Sequence, residues 1–235
     1  MNELPPVCIL AGGLGTRLGG LVADTPKPLL EVAGRPFLAH QLDLLRRHGA
    51  RRIVMCVGYL GERIEARIGD GNELGLTIRY VYDSPGLDGT AGAIRNASNE
   101  LGDEFLVLYG DTYLRLDYRG VVGAFRRSGK LGLMTVLRNE GAWDRSNALY
   151  VDGRVVRYDK ENPGPDMQWI DYGLGAMRRE ALDVAGAEEP ELPAVYRELA
   201  ARGQLAGYEA TERFYEIGTE ASLAETEAFL RAVSK

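Results

Sequence analysis

The chain has 235 residues, and its 28 Lys and Arg against 34 Asp and Glu give a formal net charge of −6 at pH 7. This balance argues against a protein that mainly coats nucleic acid or an anionic membrane. Its 45% apolar content favours one globular domain. Because the sequence contains neither an apolar run long enough to span a membrane nor a basic start followed by an apolar stretch, we expect a cytoplasmic protein.

Strand and helix patterns alternate through the first half of the chain. Apolar runs predict buried strands at 7–10, 52–59, 76–82 and 105–109. Helical spacing and stop signals predict helices at 36–48, 60–69, 90–101 and 117–128. This succession predicts right-handed βαβ units, and therefore an α/β, Rossmann-like, mostly parallel sheet with helices on both faces. Cys8 and Cys56 lie in two of the strands, where buried free thiols are expected rather than a disulfide.

The pattern changes after residue 130. Further strands are predicted at 131–137, 170–177, 204–210 and 214–217, with helices at 178–185, 192–202 and 219–235. Two apolar runs joined by Asp152-Gly153 predict a β-hairpin. We therefore expect a smaller β-rich lobe, residues 131–218, on the same single domain as residues 1–130.

A glycine-rich turn follows the first strand, with the sequence LAGGLGTRL at 10–18. Gly12, Gly13 and Gly15 allow backbone N–H groups to approach an oxyanion, and such turns bind phosphate. The turn lacks the third glycine of a dinucleotide fingerprint and the Gly-Lys-Ser/Thr of a P-loop. Taken alone, it is a weak signal.

Two cations accompany this turn. Arg17 lies within it, and Lys27 stands between Pro26 and Pro28, which hold the backbone extended. Considered separately, these residues would be a solvated arginine and a surface lysine in a loop. Together they predict two positive charges directed at one polyphosphate.

In combination, LAGGLGTRL at 10–18 and PKP at 26–28 resemble the sugar-1-phosphate nucleotidyltransferases. The resemblance extends to LDGTAGA at 87–93, GD at 110–111, YDK at 158–160, IDYGL at 170–174 and YEIGT at 215–219. It implies that an NTP and a sugar 1-phosphate give an NDP-sugar and pyrophosphate by in-line attack at the α-phosphate, with Mg²⁺ as cofactor. It also implies that residues 1–130 bind the nucleotide and that the lobe at 131–218 binds the sugar.

The resemblance assigns roles to individual residues on the nucleotide side. Arg17 and Lys27 match the catalytic pair, with Arg17 at the leaving β- and γ-phosphates and Lys27 at the α-phosphate. The residues matched to nucleotide binding are Leu10, Ala11, Gly12, Gly13, Gly15, Thr16, Asp88, Gly89 and Thr90. Asp88 could accept a hydrogen bond from a base amino group or simply turn the chain.

Two carboxylates are candidate metal ligands. Asp111 follows a buried strand at its carboxyl end, where open α/β sheets place ligands, and a carboxylate there suits Mg²⁺; helix capping is the alternative. Glu216 occupies the position of a second metal carboxylate in the family's late W-x-D-x-G-T segment, but it is one methylene longer. An exposed glutamate at a strand end is the competing interpretation.

The matched residues in the second lobe would contact the sugar phosphate. They are Asn147, Asp159, Lys160, Asp171 and Tyr172. Lys160 would meet the phosphate, while Asp159 and Asp171 would accept hydrogen bonds from sugar hydroxyls. An ordinary surface role is the alternative for each of them.

The form of the glycine turn and the stretch GRPF at 34–37 look most like the heptose- or mannose-1-phosphate guanylyltransferase branch, so GTP is the expected nucleotide. UTP, CTP and dTTP stay open, as do the sugar and homo-oligomer formation. A nucleotide-sugar sensor without catalysis is a second hypothesis, which the presence of Arg17, Lys27 and Asp111 disfavours. A glycosyltransferase is a third, but its usual Asp-x-Asp is replaced here by Gly110-Asp111-Thr112. Nucleic-acid and membrane partners are not expected.

Overall fold

The computed structural model describes residues 3–13, 18, 24–84, 89–139, 141–186 and 188–233. This part of the chain forms a nine-stranded sheet and two two-stranded ribbons, with seven α-helices. The strands are β1 (Val7–Leu10), β2 (Glu31–Val32), β3 (Arg35–Pro36), β4 (Arg52–Val57), β5 (Thr77–Tyr82), β6 (Glu104–Tyr109), β7 (Thr112–Tyr113), β8 (Gly132–Arg138), β9 (Ala148–Val151), β10 (Arg154–Tyr158), β11 (Trp169–Arg178), β12 (Leu205–Ala210) and β13 (Tyr215–Glu216). The helices are α1 (Phe37–Arg47), α2 (Gly61–Ile68), α3 (Gly89–Asn96), α4 (Ser98–Leu101), α5 (Tyr118–Ser128), α6 (Leu192–Ala201) and α7 (Glu220–Val233).

The first half of the large sheet is parallel. Its strands lie in the order β5-β4-β1-β6, and each neighbouring pair in this order is parallel. Strand β1 is buried on both faces, because Val7 and Ile9 belong to one core cluster and Cys8 to another. The carboxyl ends of these strands therefore meet at one edge, which is where open α/β sheets place their ligands.

The second half of the sheet is mixed. The order continues from β6 through β11, β8, β12, β10 and β9. Strand β11 is antiparallel to both β6 and β8, whereas β12 and β8 are parallel. The continuous run of parallel strands thus ends at β6, because β11 enters the sheet beside β6 in the opposite direction, and β8 with β12 forms a separate parallel pair.

Strand β11 carries an irregularity that matters for the site. Its register against β8 shifts between Asp171 and Gly175, and Gly173 has φ of +101°. Such irregularities redirect side chains next to functional sites. The hairpin of β9 and β10 forms as the sequence predicts, with positive φ at Asp152 (47°) and Gly153 (76°), as a type I′ turn requires.

Two helical predictions need correction. The helix predicted at 90–101 is two helices, α3 and α4, separated by Ala97 with ψ of −1°. The helix predicted at 178–185 is a 3₁₀ helix over Arg179–Asp183. Ribbon strands β2, β3 and β7 were not predicted, because two residues are too short to show alternation. Among the helices described, none is long and apolar enough to cross a bilayer.

Candidate active site

A cavity of about 310 Å³ opens at the carboxyl edge of β1, β4 and β6. It gathers residues from distant parts of the sequence: Leu10, Ala11, Gly12, Gly13, Lys27, Pro28, Cys56, Asp83, Gly89, Thr90, Ala93, Tyr109, Gly110 and Asp111. These include every described residue that the sequence assigns to the nucleotide, together with Lys27 and Asp111. Gly15, Thr16, Arg17 and Asp88 lie outside the described residues.

The exit of β1 forms one wall of the cavity. The Ala11 N–H donates to the Cys56 carbonyl at 2.8 Å, which extends the pairing of β1 and β4 beyond the strand end. A Cβ on Gly12 would lie 3.1 Å from the backbone nitrogen of Gly58, tighter than an ordinary contact. The backbone is therefore closely packed at Gly12, where a side chain would require Gly58 to shift, whereas a Cβ on Gly13 would meet open space.

Lys27 and Asp111 form the charged centre of the cavity. The Lys27 Nζ lies 2.5 Å from the Asp111 Oδ2, and the two side chains are 15% and 30% exposed. Lys27 is the first residue of a 3₁₀ helix over Lys27–Leu29, so the extended backbone predicted around it is wrong, because proline is tolerated in the first turn of a helix. Asp111 follows the buried strand β6. The structure thus brings the expected catalytic cation and the expected metal carboxylate into direct contact.

Glu216 lies on strand β13, whose backbone runs beside that of Asp111. Strand β13 pairs with β7 so that Glu216 is opposite Thr112, and the Ile217 N–H donates to the Asp111 carbonyl at 3.1 Å. Thr226 of α7 holds the segment by donating to the Glu216 carbonyl at 2.6 Å. No group of three or more potential metal ligands occurs among the described residues. Asp111 on the cavity wall fits Mg²⁺, which commonly takes one or two carboxylates together with substrate phosphate oxygens, whereas Glu216 is not among the described residues that line the cavity.

Asp171 is fixed at the bulge of β11 by three hydrogen bonds. Its Oδ1 accepts from the Gly173 N–H at 3.0 Å, and its Oδ2 accepts from the Tyr158 hydroxyl at 3.3 Å. Its own N–H donates to the Asn147 Oδ1 at 2.9 Å. Burial raises the pKa of the Asp171 carboxyl, while the Gly173 N–H and the positive charge of Lys160 act in the opposite direction. Asn147 and Asp171 are therefore in direct contact, and Lys160 is near enough for its charge to act on the Asp171 carboxyl.

The other two predicted sugar residues are placed differently. Asp159 Oδ1 accepts from the backbone N–H groups of Asn162 (2.8 Å) and Glu161 (3.0 Å), and these bonds lower the pKa of the Asp159 carboxyl. Tyr172 is buried in the core on the opposite face of β11 from Asp171, and its hydroxyl donates to the Arg115 carbonyl at 3.3 Å. Successive strand residues face opposite sides, so the adjacent pair Asp171-Tyr172 cannot share one pocket wall.

Three cavity residues, Tyr109, Asp83 and Cys56, lie outside every motif that carries the family resemblance. Tyr109 ends β6, and its pKa is raised by burial and by the charges of Asp171, Asp111 and Glu191. The sequence signal that could have identified Tyr109 is its position directly before Gly110-Asp111. Asp83 directly follows β5, and a Cβ on Gly58 would collide with its carboxylate. Cys56 lies with its Sγ 3.5 Å from that of Cys8, and both thiols are buried and free, as predicted.

Comparison with known proteins identifies the family. The nucleotidyl transferase family profile matches residues 7–144, which is more than half of the chain. The chain belongs to the nucleotidyl transferase family. The resemblance seen in the sequence is thereby confirmed.

Relatives of this nucleotidyl transferase have different nucleotide specificities. The mannose-1-phosphate guanylyltransferase of Mycobacterium tuberculosis is 33% identical over 178 residues, which are 74% of this chain and 49% of that protein. The N-acetylmuramate alpha-1-phosphate uridylyltransferase of Neisseria meningitidis is 32% identical over 232 residues, or 95% and 97% of the two chains. The chain thus spans about half of the first relative and nearly all of the second.

The fold is also found among solved structures. A putative glucose-1-phosphate thymidylyltransferase from Bacillus anthracis superposes with a TM-score of 0.84 at 21% identity, covering 97% of this chain and 96% of that one. At this identity the likeness establishes the mixed α/β fold alone.

Proposed function

We propose that this nucleotidyl transferase transfers a nucleoside monophosphate from an NTP to a sugar 1-phosphate and releases pyrophosphate. The observation that carries the proposal is the convergence of Gly12, Lys27, Thr90 and Asp111 on one cavity. Both relatives described above carry names for nucleotide transfer to a sugar 1-phosphate. The cavity lies at the strand edge where this class of sheet binds its ligands.

The proposed reaction needs positive charge more than it needs a nucleophilic side chain. A phosphate oxygen of the sugar 1-phosphate forms a bond to the α-phosphorus, and the bond from the α-phosphorus to the leaving pyrophosphate oxygen breaks. Negative charge therefore grows on the pyrophosphate, and stabilising it is most of what the protein contributes. Lys27 would contact the α-phosphate after exchanging its Asp111 partner for a phosphate oxygen, and Arg17 is proposed for the β- and γ-phosphates.

The proposed metal site consists of Asp111 and Glu216. Asp111 lies on the cavity wall, and Glu216 is held beside it by the β7–β13 ribbon. These two carboxylates would hold Mg²⁺, which when bound neutralises part of the triphosphate charge.

The proposed sugar contacts come from the second lobe. Asn147 supplies an amide side chain whose Oδ1 accepts from the Asp171 backbone N–H, Asp171 supplies a carboxylate, and Lys160 supplies the nearby positive charge. We do not include Asp159, whose carboxylate caps its own turn, or Tyr172, which faces the opposite core. The bulge at Gly173 orients Asp171 for this role.

We infer that GTP is the preferred nucleotide. The form of the glycine turn and GRPF at 34–37 support GTP, as does the guanylyltransferase relative. UTP is the competing nucleotide, because the relative matched almost end to end is a uridylyltransferase. A hydrogen-bond donor or acceptor in the base pocket decides between these bases, and Asp88, a candidate for that contact, lies outside the described residues.

A substrate panel tests both parts of the proposal. Purified protein with Mg²⁺ is mixed with GTP, UTP, CTP or dTTP and with each of several sugar 1-phosphates, and pyrophosphate is measured. We expect pyrophosphate only when both substrates are present, with GTP fastest. A faster rate with UTP would overturn the base assignment, whereas nucleotide-dependent thermal stabilisation without pyrophosphate from any pair would indicate a sensor instead.

A further inference from the structure

The N-termini of helices α3 and α6 pack against each other, and residues at or just before the start of each helix cap the other. In the first turn of α3, the N–H groups of Ala91 and Gly92 donate to the Pro190 carbonyl at 2.8 and 3.3 Å. In return, the Thr90 Oγ1 accepts from the N–H of Leu192, the first residue of α6, at 2.8 Å. First-turn N–H groups have no acceptor within their own helix, and this exchange supplies acceptors for two of them in α3 and one in α6.

Glu191 completes this contact. The Thr90 hydroxyl donates to the Glu191 Oε2 at 2.9 Å, so the hydroxyl both donates and accepts and its rotamer is fixed. Gly89 has φ of +73°, and a Cβ there would lie 2.8 Å from the Glu191 Oε1. The turn that opens α3 is therefore held in one conformation by the residues just before α6.

Arg95 ties the rest of that segment to α3. Its guanidinium donates to the carbonyls of Leu182 at 2.8 Å and Gly186 at 2.9 Å, and also to the carbonyl of Glu189. Because the Arg95 side chain binds all three carbonyls, it holds these residues, which precede Glu191, against α3. The contact between α3 and the residues before α6 therefore rests on several hydrogen bonds and does not depend on a single exposed side chain.

The contact lies between the two halves of the proposed site. Gly89 and Thr90 line the cavity, while α6 carries Tyr196, whose ring centroid is 6.0 Å from that of Tyr158. Tyr158 in turn donates to Asp171 on the sugar side. Glu191 is not among the described residues that line the cavity, so its effect on a bound nucleotide would pass through Thr90.

We propose that Glu191 is a positioning residue for the nucleotide, which holds Thr90 and the first turn of α3 at the cavity wall. The proposal rests on the proposed nucleotidyltransferase function. The direction of the change in KM distinguishes positioning from electrostatic repulsion. A carboxylate near a triphosphate repels it, so if Glu191 acted only by repulsion, removing its charge would lower the KM for NTP. Loss of a positioning hydrogen bond would raise it.

The test compares wild type with Glu191→Ala and Glu191→Gln. In Glu191→Ala we expect the KM for NTP to rise about three- to tenfold, the effect of one hydrogen bond, with the KM for sugar 1-phosphate unchanged. Glu191→Gln should restore the wild-type KM for NTP, because its amide oxygen can still accept from the Thr90 hydroxyl. Without any substrate, amide hydrogen exchange at Ala91 and Gly92 should become faster in Glu191→Ala and stay as in wild type in Glu191→Gln.

Several results would overturn the proposal. A lower KM for NTP in Glu191→Ala would show repulsion alone, and a change confined to the KM for sugar 1-phosphate would make Glu191 a substrate contact. Equal impairment of Glu191→Gln and Glu191→Ala would show that the charge matters and the acceptor does not. If the wild type turns over no substrate, the proposed function fails, but unchanged amide exchange in Glu191→Ala would still refute the positioning role by itself.

Discussion

Replacing Lys27 by methionine tests the central charge of the site. The substitution keeps the length of the side chain and removes the ammonium group that lies 2.5 Å from the Asp111 Oδ2. If Lys27 stabilises charge at the α-phosphate, kcat should fall by about 10²–10³, which corresponds to roughly 2.7–4 kcal/mol of transition-state stabilisation.

The same substitution has a smaller effect on folding. Side chains that are 15% and 30% exposed place the ion pair between a surface pair and a buried one. We therefore expect a loss of about 1–2 kcal/mol in the free energy of unfolding, and a fall in Tm of roughly 2–8 °C for a chain of this size. The loss of kcat should thus exceed what destabilisation explains at temperatures well below the Tm.

The assay is pyrophosphate release at saturating substrates, with circular dichroism melting of each variant. A matched control is Arg126→Met, which breaks the 2.7 Å pair with Glu104 at the opposite end of β6 from Asp111. This exposed pair should contribute less than about 1 kcal/mol, and its loss should leave kcat unchanged. A folded Lys27→Met protein with kcat within about threefold of wild type would refute the role of Lys27, since one charge-stabilising donor is worth far more.

Three further predictions concern the metal site, the sugar side and the cavity wall. Asp111→Asn removes an anionic oxygen ligand, so the Mg²⁺ concentration for half-maximal rate should rise in a metal titration; an unchanged value would exclude Asp111 as a ligand. Asp171 has a raised pKa, so the folded state holds the proton of this carboxyl more tightly than the unfolded chain does. The stability that the protonated carboxyl contributes is therefore full below the unfolded pKa of 3.8 and is lost as the pH rises through the folded pKa. The Tm of Asp171→Asn minus that of wild type should therefore be more positive at pH 7 than at pH 3.8, and a pH-independent difference would contradict this. Gly58→Ala places a Cβ against the Asp83 carboxylate and 3.2 Å from the Gly12 carbonyl oxygen. Urea denaturation should therefore show a loss of about 1–3 kcal/mol in the free energy of unfolding, and the KM for NTP should rise. Wild-type stability of this variant would show that the Asp83 carboxylate moves aside freely.

The sequence by itself determined the features that depend on local backbone chemistry. Glycines at 12 and 13 allow the backbone to approach an oxyanion closely, and prolines at 26 and 28 restrict the backbone around Lys27, so a phosphate-binding turn, a stiff lysine loop and the family could be predicted. The Asp152-Gly153 hairpin and the parallel first half followed from equally local signals, because turn geometry and strand–helix alternation act within a few residues.

The tertiary structure alone decided which distant residues meet. The Lys27–Asp111 ion pair joins positions 84 residues apart, and the Thr90–Glu191 hydrogen bond joins positions 101 apart. It also decided that Asp171 faces Asn147 and Tyr158 while Tyr172 enters the opposite core, and that β11 runs antiparallel beside β6. These outcomes depend on strand order and register, which are set by the packing of the two faces of the sheet and leave no mark in a short stretch of sequence.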